Sequence, residues 1–538
     1  MLRQDRAHGR AVSPAVSSSG PDTVKTMTGF KLTTLLALSA SALTLAACGS
    51  SEVASPGEGD FGGGTGGGGG GVTPPAPGTP AADCPTGFAN VGVVAAGTLR
   101  ACQLPTTITG NLTVPLRAGT IYSISGRTEV GNDRGADPAA PVAGTQQGIL
   151  TIEAGVRLYG SGGSDYLLVN RGSQIFAEGT ATNPIIFTSR ANVEGTTTEN
   201  SQGQWGGVVI AGRAPTAVCP VGVTAPNIAC VGQVEGTSAN YGGNSPTDNS
   251  GRLRYVQIRY SGFEISPNNE LQALTLAGVG SGTVIDHVQA YNSSDDGIEI
   301  FGGTVNLSHI VINGADDDGL DTDTGWRGGA QFGIITQRAT AVTNGSRGFE
   351  WSAAPSGTAF YAQPKVSNWT IVGRNAAVAA DALLTLNTGT QPTIINSVIT
   401  NPSTSAAACL DIDDAQTVTN APVFRSVFFA CNRPYENDSN VNAVATEAVF
   451  INATNVGNTA TGVSSMTAPA GATLTAQSLA FINGANETAV TPANAPAIYS
   501  FFTAVTYVGA VRNAADTWYQ GWTCGLQAAN AAAPSLTC

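Results

Sequence analysis

The chain has 538 residues, 68 of them Gly and 28 Pro, with only 11% charged side chains and a formal net charge of −13. That Gly and Pro content falls short of a collagen-like or wholly disordered chain, and the acidic balance opposes binding to nucleic acid or anionic membrane surfaces while favouring divalent cations. Of three histidines, only His287 and His309 lie beyond residue 47, too few for a three-histidine zinc site in a chain processed there.

The N-terminus reads as an address. A single Lys31 precedes the apolar run Leu32 to Leu38, and Ala42-Leu43-Thr44-Leu45-Ala46-Ala47-Cys48 follows. A positive charge, an apolar stretch and small residues before a cleavage point make a secretory signal, and the run is too short for a stable membrane span. Residues 1–26 read as an upstream extension and Met27 as the start. Leu45-Ala46-Ala47-Cys48 resembles the lipobox of bacterial lipoproteins. The resemblance implies cleavage before Cys48, acylation of Cys48 with palmitate or a related chain, and anchoring in the outer membrane, because Gly49 stands where inner-membrane retention uses aspartate. Removal of residues 1–47 leaves 35 acidic against 19 basic side chains.

Residues 48–83 are dominated by Gly, Pro, Ser, Thr and Ala, including Gly66 to Gly71 without interruption. Such a segment buries too little apolar surface to offset its ordering entropy and reads as a flexible tether. Eight further cysteines fall as close neighbours. The simplest pairing is Cys84-Cys102, Cys219-Cys230, Cys409-Cys431 and Cys524-Cys538, which suits an oxidising, extracytoplasmic compartment; metal ligation is the alternative, although no C-x-x-C spacing occurs.

From Cys84 onward, short β-rich runs alternate with Gly, Asn and Asp. Residues 84–145 read as an N-terminal cap with the first strands. Runs at 149–155, 156–159, 166–170, 173–177, 184–189 and 205–211 read as successive strands. An internal repeat then appears. Tyr255, His287 and His309 open three similar segments, and the last two lead at equal offset to Asp295-Asp296-Gly297-Ile298-Glu299 and Asp317-Asp318-Gly319-Leu320-Asp321, 22 residues apart. Arg347-Gly348-Phe349-Glu350 is a further copy, Gln272-Ala273-Leu274-Thr275 an earlier one, and Asp381-Ala382-Leu383-Leu384 and Cys409-Leu410-Asp411 are later candidates.

A period near 22 with strands of three to five residues is what a coiled parallel sheet requires, with rungs stacked about 4.8 Å apart. Alternation puts Leu274, Ile298, Leu320 and Phe349 in one inward column, and Leu276, Ile300, Thr322 and Trp351 in the next. A β-propeller is the competing architecture, but its blades take about 40 residues or more. The pattern resembles the right-handed single-stranded parallel β-helix of the pectin-lyase-like superfamily over residues 146–435, of the kind found in secreted β-helix lipoproteins. The fold class expected is therefore all-β, a solenoid with capping segments, in which 436–538 closes the open end. Within that segment, 497–503 and 506–511 read as strands, and 516–524 as an aromatic cluster.

The same alternation sends Thr275, Glu299, Asp321 and Glu350 outward, with Asp295, Asp296, Asp316, Asp317, Asp318 and Asp323 in adjacent turns. Stacked like charges need compensation from Arg347 or Arg327, from shared protons, or from a hard cation. The expected metal ligands are Asp295, Asp296, Glu299, Asp317, Asp318, Asp321, Asp323 and Glu350, and the expected ion is calcium, which takes six to eight oxygens; solvated turn aspartates are the alternative. The superfamily resemblance also implies an enzymatic possibility: a calcium-dependent polysaccharide lyase, with Arg347 as base and Asp296, Glu299, Asp318 and Asp321 as metal ligands, or a glycoside hydrolase, with Asp295, Asp296, Asp317 and Asp318 as acid and base. The Gly-His-Gly and Arg-Ile-Lys elements of the hydrolases are absent. His287 and His309 read as a packing ladder with Tyr255. Tyr260, Phe263, Trp326 and Trp351 offer sugar-stacking faces, Trp351 pointing inward and Trp326 being the more exposed. The function expected is that of a non-catalytic surface or periplasm-facing binding or structural protein, calcium-stabilised, whose partners are the outer membrane and a glycan or other envelope component, with no nucleic acid.

Overall fold

The computed structural model describes residues 78–538 apart from 268, 340–345, 354–358, 376–381, 476 and 527–537. The candidate leader, Cys48, most of the tether and Asp381 lie outside the described residues.

The body is a parallel β-helix whose coils make three faces. The third face is an eleven-stranded parallel sheet whose central strands are Leu274–Ala277, Ile298–Phe301, Leu320–Asp323, Phe349–Trp351, Ala382–Leu386 and Ala408–Ile412. Its register is the one the repeat predicts. Leu274 pairs with Ile298, Ile298 with Leu320 and Leu320 with Phe349, while Leu276, Ile300, Thr322 and Trp351 stack two residues on. All eight are buried, each large apolar side chain contributing about 1.5–3 kcal/mol that a single coil alone could not secure. The Asp381-to-Leu384 copy is displaced by one position: Leu384, not Leu383, stands on Phe349.

The first and second faces are continuous through long strands such as Gly251–Arg259, Val284–Tyr291, Asn306–Asn313, Gly329–Thr336 and Lys365–Val372. Leu253, Ile285, Leu307, Ala330, Val366, Ile394 and Phe424 form the inward column of the first. Between the two faces each coil bends at one residue in left-handed conformation: Tyr255, His287, His309, Phe332, Asn368, Asn396 and Ser426, with φ between 50° and 64°. Such residues are costly one at a time. Here ring stacking offsets the cost, with Tyr255 over His287 at 4.3 Å, His287 over His309 at 4.2 Å and His309 over Phe332 at 4.9 Å. In the turns that enter the third face, Gly297, Gly319 and Gly348 follow one another so tightly that a Cβ on Gly297 would lie 2.8 Å from Gly319 O and one on Gly319 2.7 Å from Gly348 O.

All four local cysteine pairs are disulfides. Cys84–Cys102 pins the N-terminal hairpin of Ala89–Val94 and Leu99–Gln103. At the other end, the helix Ala443–Phe450 lays Phe450 on Phe424, Phe429 and Tyr435 and closes the core.

The rest of the C-terminal segment departs from the expected end cap. It doubles back along the outer surface of the second face. Gln257 and Gln289 donate to Trp522 O and Cys524 O, Gln331 to Thr503 O, and Asn368 to Tyr507 O and Gly509 O. Val311 and Ile334, outward on that face, pack with Phe481, Ala510 and Trp522. The stretches expected as strands at 497–503 and 506–511 are a short helix, Ala495–Ile498, and irregular chain, because their backbone groups bond to side chains of the coils instead of to a ladder.

Candidate functional site

Each coil crosses from the second face to the third through a turn, and in consecutive coils that turn is acidic. Aspartate suits a turn because its side chain can accept from nearby backbone N–H groups. Here the acceptance runs between coils. Asp296 Oδ1 accepts from Asp318 N at 3.0 Å, and Asp318 Oδ1 from Arg347 N at 2.7 Å. One oxygen of each therefore serves the fold.

On the following strand, Glu299, Asp321 and Glu350 lie in register on the outward side. They point away from the solenoid core, yet they are buried: Asp296 is 1% exposed, Glu299 2% and Asp321 5%. Asp295, Asp296 and Asp317 each bring a carboxylate oxygen within 4.8 Å of the others, and so do Asp296, Glu299 and Asp321. Asp296 is common to both groups. Its Oδ2 is buried and takes no hydrogen bond among the described residues. Burial first, and then the charges of Asp295, Asp321, Asp318 and Glu299, push its carboxyl well above the usual range. Two unit charges 4.8 Å apart repel by about 3.5 kcal/mol at an effective dielectric of 20, so the cluster in its fully ionised form calls for a counter-charge.

The other acids of the expected ligand set are placed differently. Glu350 pairs with Arg347 at 2.8 Å, and Arg347 Nε also donates to Thr385 Oγ1 at 2.8 Å. Asp323, beside Phe301 in register, is two residues further along its strand than Asp321. Asp316, an acid of the same turn outside that set, accepts from Gln202 at 3.0 Å. Arg327 stands over the Phe360 ring and donates to Tyr361 O. Gln272, which the repeat aligned without assigning a role, donates to Glu299 Oε2 at 2.6 Å; its place in the register was the available signal.

An all-oxygen donor set of this density suits a hard cation such as calcium more than zinc or copper. Glycoside cleavage needs a pair of carboxyl groups at the sugar, and here Asp296 and Asp318 are buried with one oxygen each committed to the neighbouring coil.

The histidine ladder is a packing device with a shared acceptor. Asp286 Oδ1 lies 2.9 Å from His287 Nδ1 and 3.1 Å from His309 Nδ1. Burial works against ionising Asp286, but the bonds from the two histidines outweigh it and hold its carboxyl below the usual range. Burial also lowers His287, beyond what Asp286 restores.

Trp326 overturns the expectation of an exposed sugar-stacking face. It is fully buried and donates to Val305 O at 3.0 Å, because the turn after the acidic run folds inward against the core. Tyr260 and Trp351 are buried as well. Of the four aromatics, Phe263 is part-exposed and lines an open cleft of about 580 Å³ with Ser189, Arg190, Glu194 and Gln204. The 190–204 stretch is an insert between strands with no repeat counterpart, so its contribution was not legible beforehand.

Residues 139–523 match the family model described as a pectate-lyase-like beta helix domain, and the chain belongs to that family. Neither the curated proteins nor the solved structures contain a match to it. The family's domain fits binding and enzymatic roles alike.

Proposed function

We propose that this protein is a lipid-anchored, extracytoplasmic β-helix that binds rather than cleaves, held together at its acidic turn by calcium. The observation that carries the reading is Asp296, fully buried, its Oδ2 without a donor among the described residues, amid the carboxylates of Asp295, Asp317, Glu299 and Asp321. These residues would hold the ion, which would add positive charge to the cluster and tie consecutive coils. Non-catalytic action is supported by the burial of the acids and by the commitment of Arg347 to Glu350 and Thr385, which leaves a poor base. A glycan or other envelope component would dock at the cleft beside Phe263, where a ring face and polar groups adjoin. Anchoring at Cys48 in the outer membrane rests on the lipobox.

The test uses the purified full chain on uronic-acid and neutral glycans, with calcium and with chelator. Glycan retention lost in Phe263→Ala, with no unsaturated product and no new reducing ends, is the expected result. Turnover of either kind would replace this reading with a lyase or hydrolase. Fatty-acid labelling that persists in Cys48→Ala would remove the anchor.

A further inference from the structure

The outward column of the third face does not end at Glu350. It continues through Thr385 to Asp411, one coil on in register. Asp411 is 9% exposed and its Oδ1 takes no hydrogen bond among the described residues. Asp413 follows on the same coil. Asp438 comes from the loop that leads into the capping helix, and the three residues each place a carboxylate oxygen within 4.8 Å of the others. The surrounding groups hold this arrangement from outside. Asn440 donates to Asp413 Oδ1 at 2.6 Å, and Asp438 Oδ1 accepts from the backbone of Asn440 and Val441 at 2.8 and 2.9 Å. Glu436 pairs with Arg433, and the charge of Arg347 favours the ionised forms of Asp411 and Asp413. Burial first, and then Asp413, Asp438 and Glu436, push the Asp411 carboxyl up to about 7.

We propose that Asp411, Asp413 and Asp438 form a second hard-cation site, a clasp that fastens the 436–442 loop to the last coils and so seats the helix Ala443–Phe450 on the open end of the core. A buried, undonated carboxylate oxygen facing two further carboxylates, one of them from a different coil, is a set of oxygens that a divalent ion would bridge and that protons alone would leave poorly joined. The helix it would seat is short, with Asn442 as its N-cap and Ala443 N bonded to Asn437 Oδ1 at 3.2 Å. Its position depends on the loop before it. The site shares no ligand with the Asp296 cluster and does not rest on calcium binding there.

The experiment is calorimetric titration of chelator-stripped full-length protein with calcium chloride, together with hydrogen exchange across residues 436–450. Asp411→Asn and Asp438→Asn should each bind one equivalent fewer than the parent chain. Calcium should slow exchange of the loop and helix in the parent and in Asp296→Asn, but not in the two variants. Because Asp438 lies on a loop, its variant keeps the coils intact if Asp411→Asn fails to fold. An unchanged number of equivalents in Asp438→Asn, or calcium protection of 436–450 that survives in it, overturns the proposal. If the Asp296 site alone is wrong, Asp296→Asn binds as the parent does while the other two variants still lose their equivalent.

Discussion

Replacing Asp296 by Asn should reverse the sign of its effect when calcium is added. Asn keeps an Oδ1 for Asp318 N, and its amide would stand where the undonated Oδ2 lies, within reach of the neighbouring carboxylates. In chelator the variant removes one charge from a cluster in which each ionised pair at 4.8 Å repels by about 3.5 kcal/mol at a dielectric of 20. Because that carboxyl is already pushed towards its neutral form, the gain should be smaller, about 0.5–1.5 kcal/mol, the range of an ordinary added hydrogen bond. With calcium at a hundredfold its dissociation constant, the parent gains about 2.7 kcal/mol and the variant gains little. For a chain this long 1 kcal/mol moves the melting temperature by only about 1 °C, so denaturant midpoints are the better assay. The ordering should be variant above parent in chelator and parent above variant in calcium. Equal calcium responses in the two proteins would refute the assignment of Asp296 as the shared ligand.

Leu320→Ala removes the middle of the column Ile298, Leu320, Phe349 and should cost about 2–5 kcal/mol in denaturant unfolding; a loss below 1 kcal/mol would mean that the column does not pack as described. Gly333→Ala would drive a Cβ into the Trp369 indole, so soluble yield and near-ultraviolet circular dichroism should both fall, whereas Gly126→Ala, with open space around it, should retain both despite its positive φ. The histidine ladder makes stability acid-sensitive. His287, held below its usual pKa by burial, contributes fully above about pH 6.5 and progressively less as pH falls below it, and Asp286, held low by the histidines, adds a second loss at lower pH. His287→Phe, matching Phe332 in the same left-handed column, should flatten the fall of unfolding midpoints as pH drops below about 6.5; an unchanged slope would place the acid sensitivity elsewhere.

The inward columns were legible because strand alternation and a 22-residue period leave few choices: once Ile298 and Leu320 face in, Glu299 and Asp321 must face out. The copy at 381–384 slipped by one, since Leu383 and Leu384 are both apolar and the pattern does not tell them apart. Trp326 was misread because a turn aromatic carries no periodicity. The burial of the outward acids was likewise hidden, since alternation gives only the side of the sheet.

Local composition and repetition, then, were enough to establish the solenoid, its stacking partners and the pairing of nearby cysteines, because these depend on residues one coil apart obeying one rule. What required three dimensions was everything that joins distant chain: the C-terminal segment laid along the second face, the contact of Asp411 and Asp413 with Asp438, and the cleft beside Phe263. Those meetings bring together stretches with no common period, and no residue pattern announces which surfaces will cover one another.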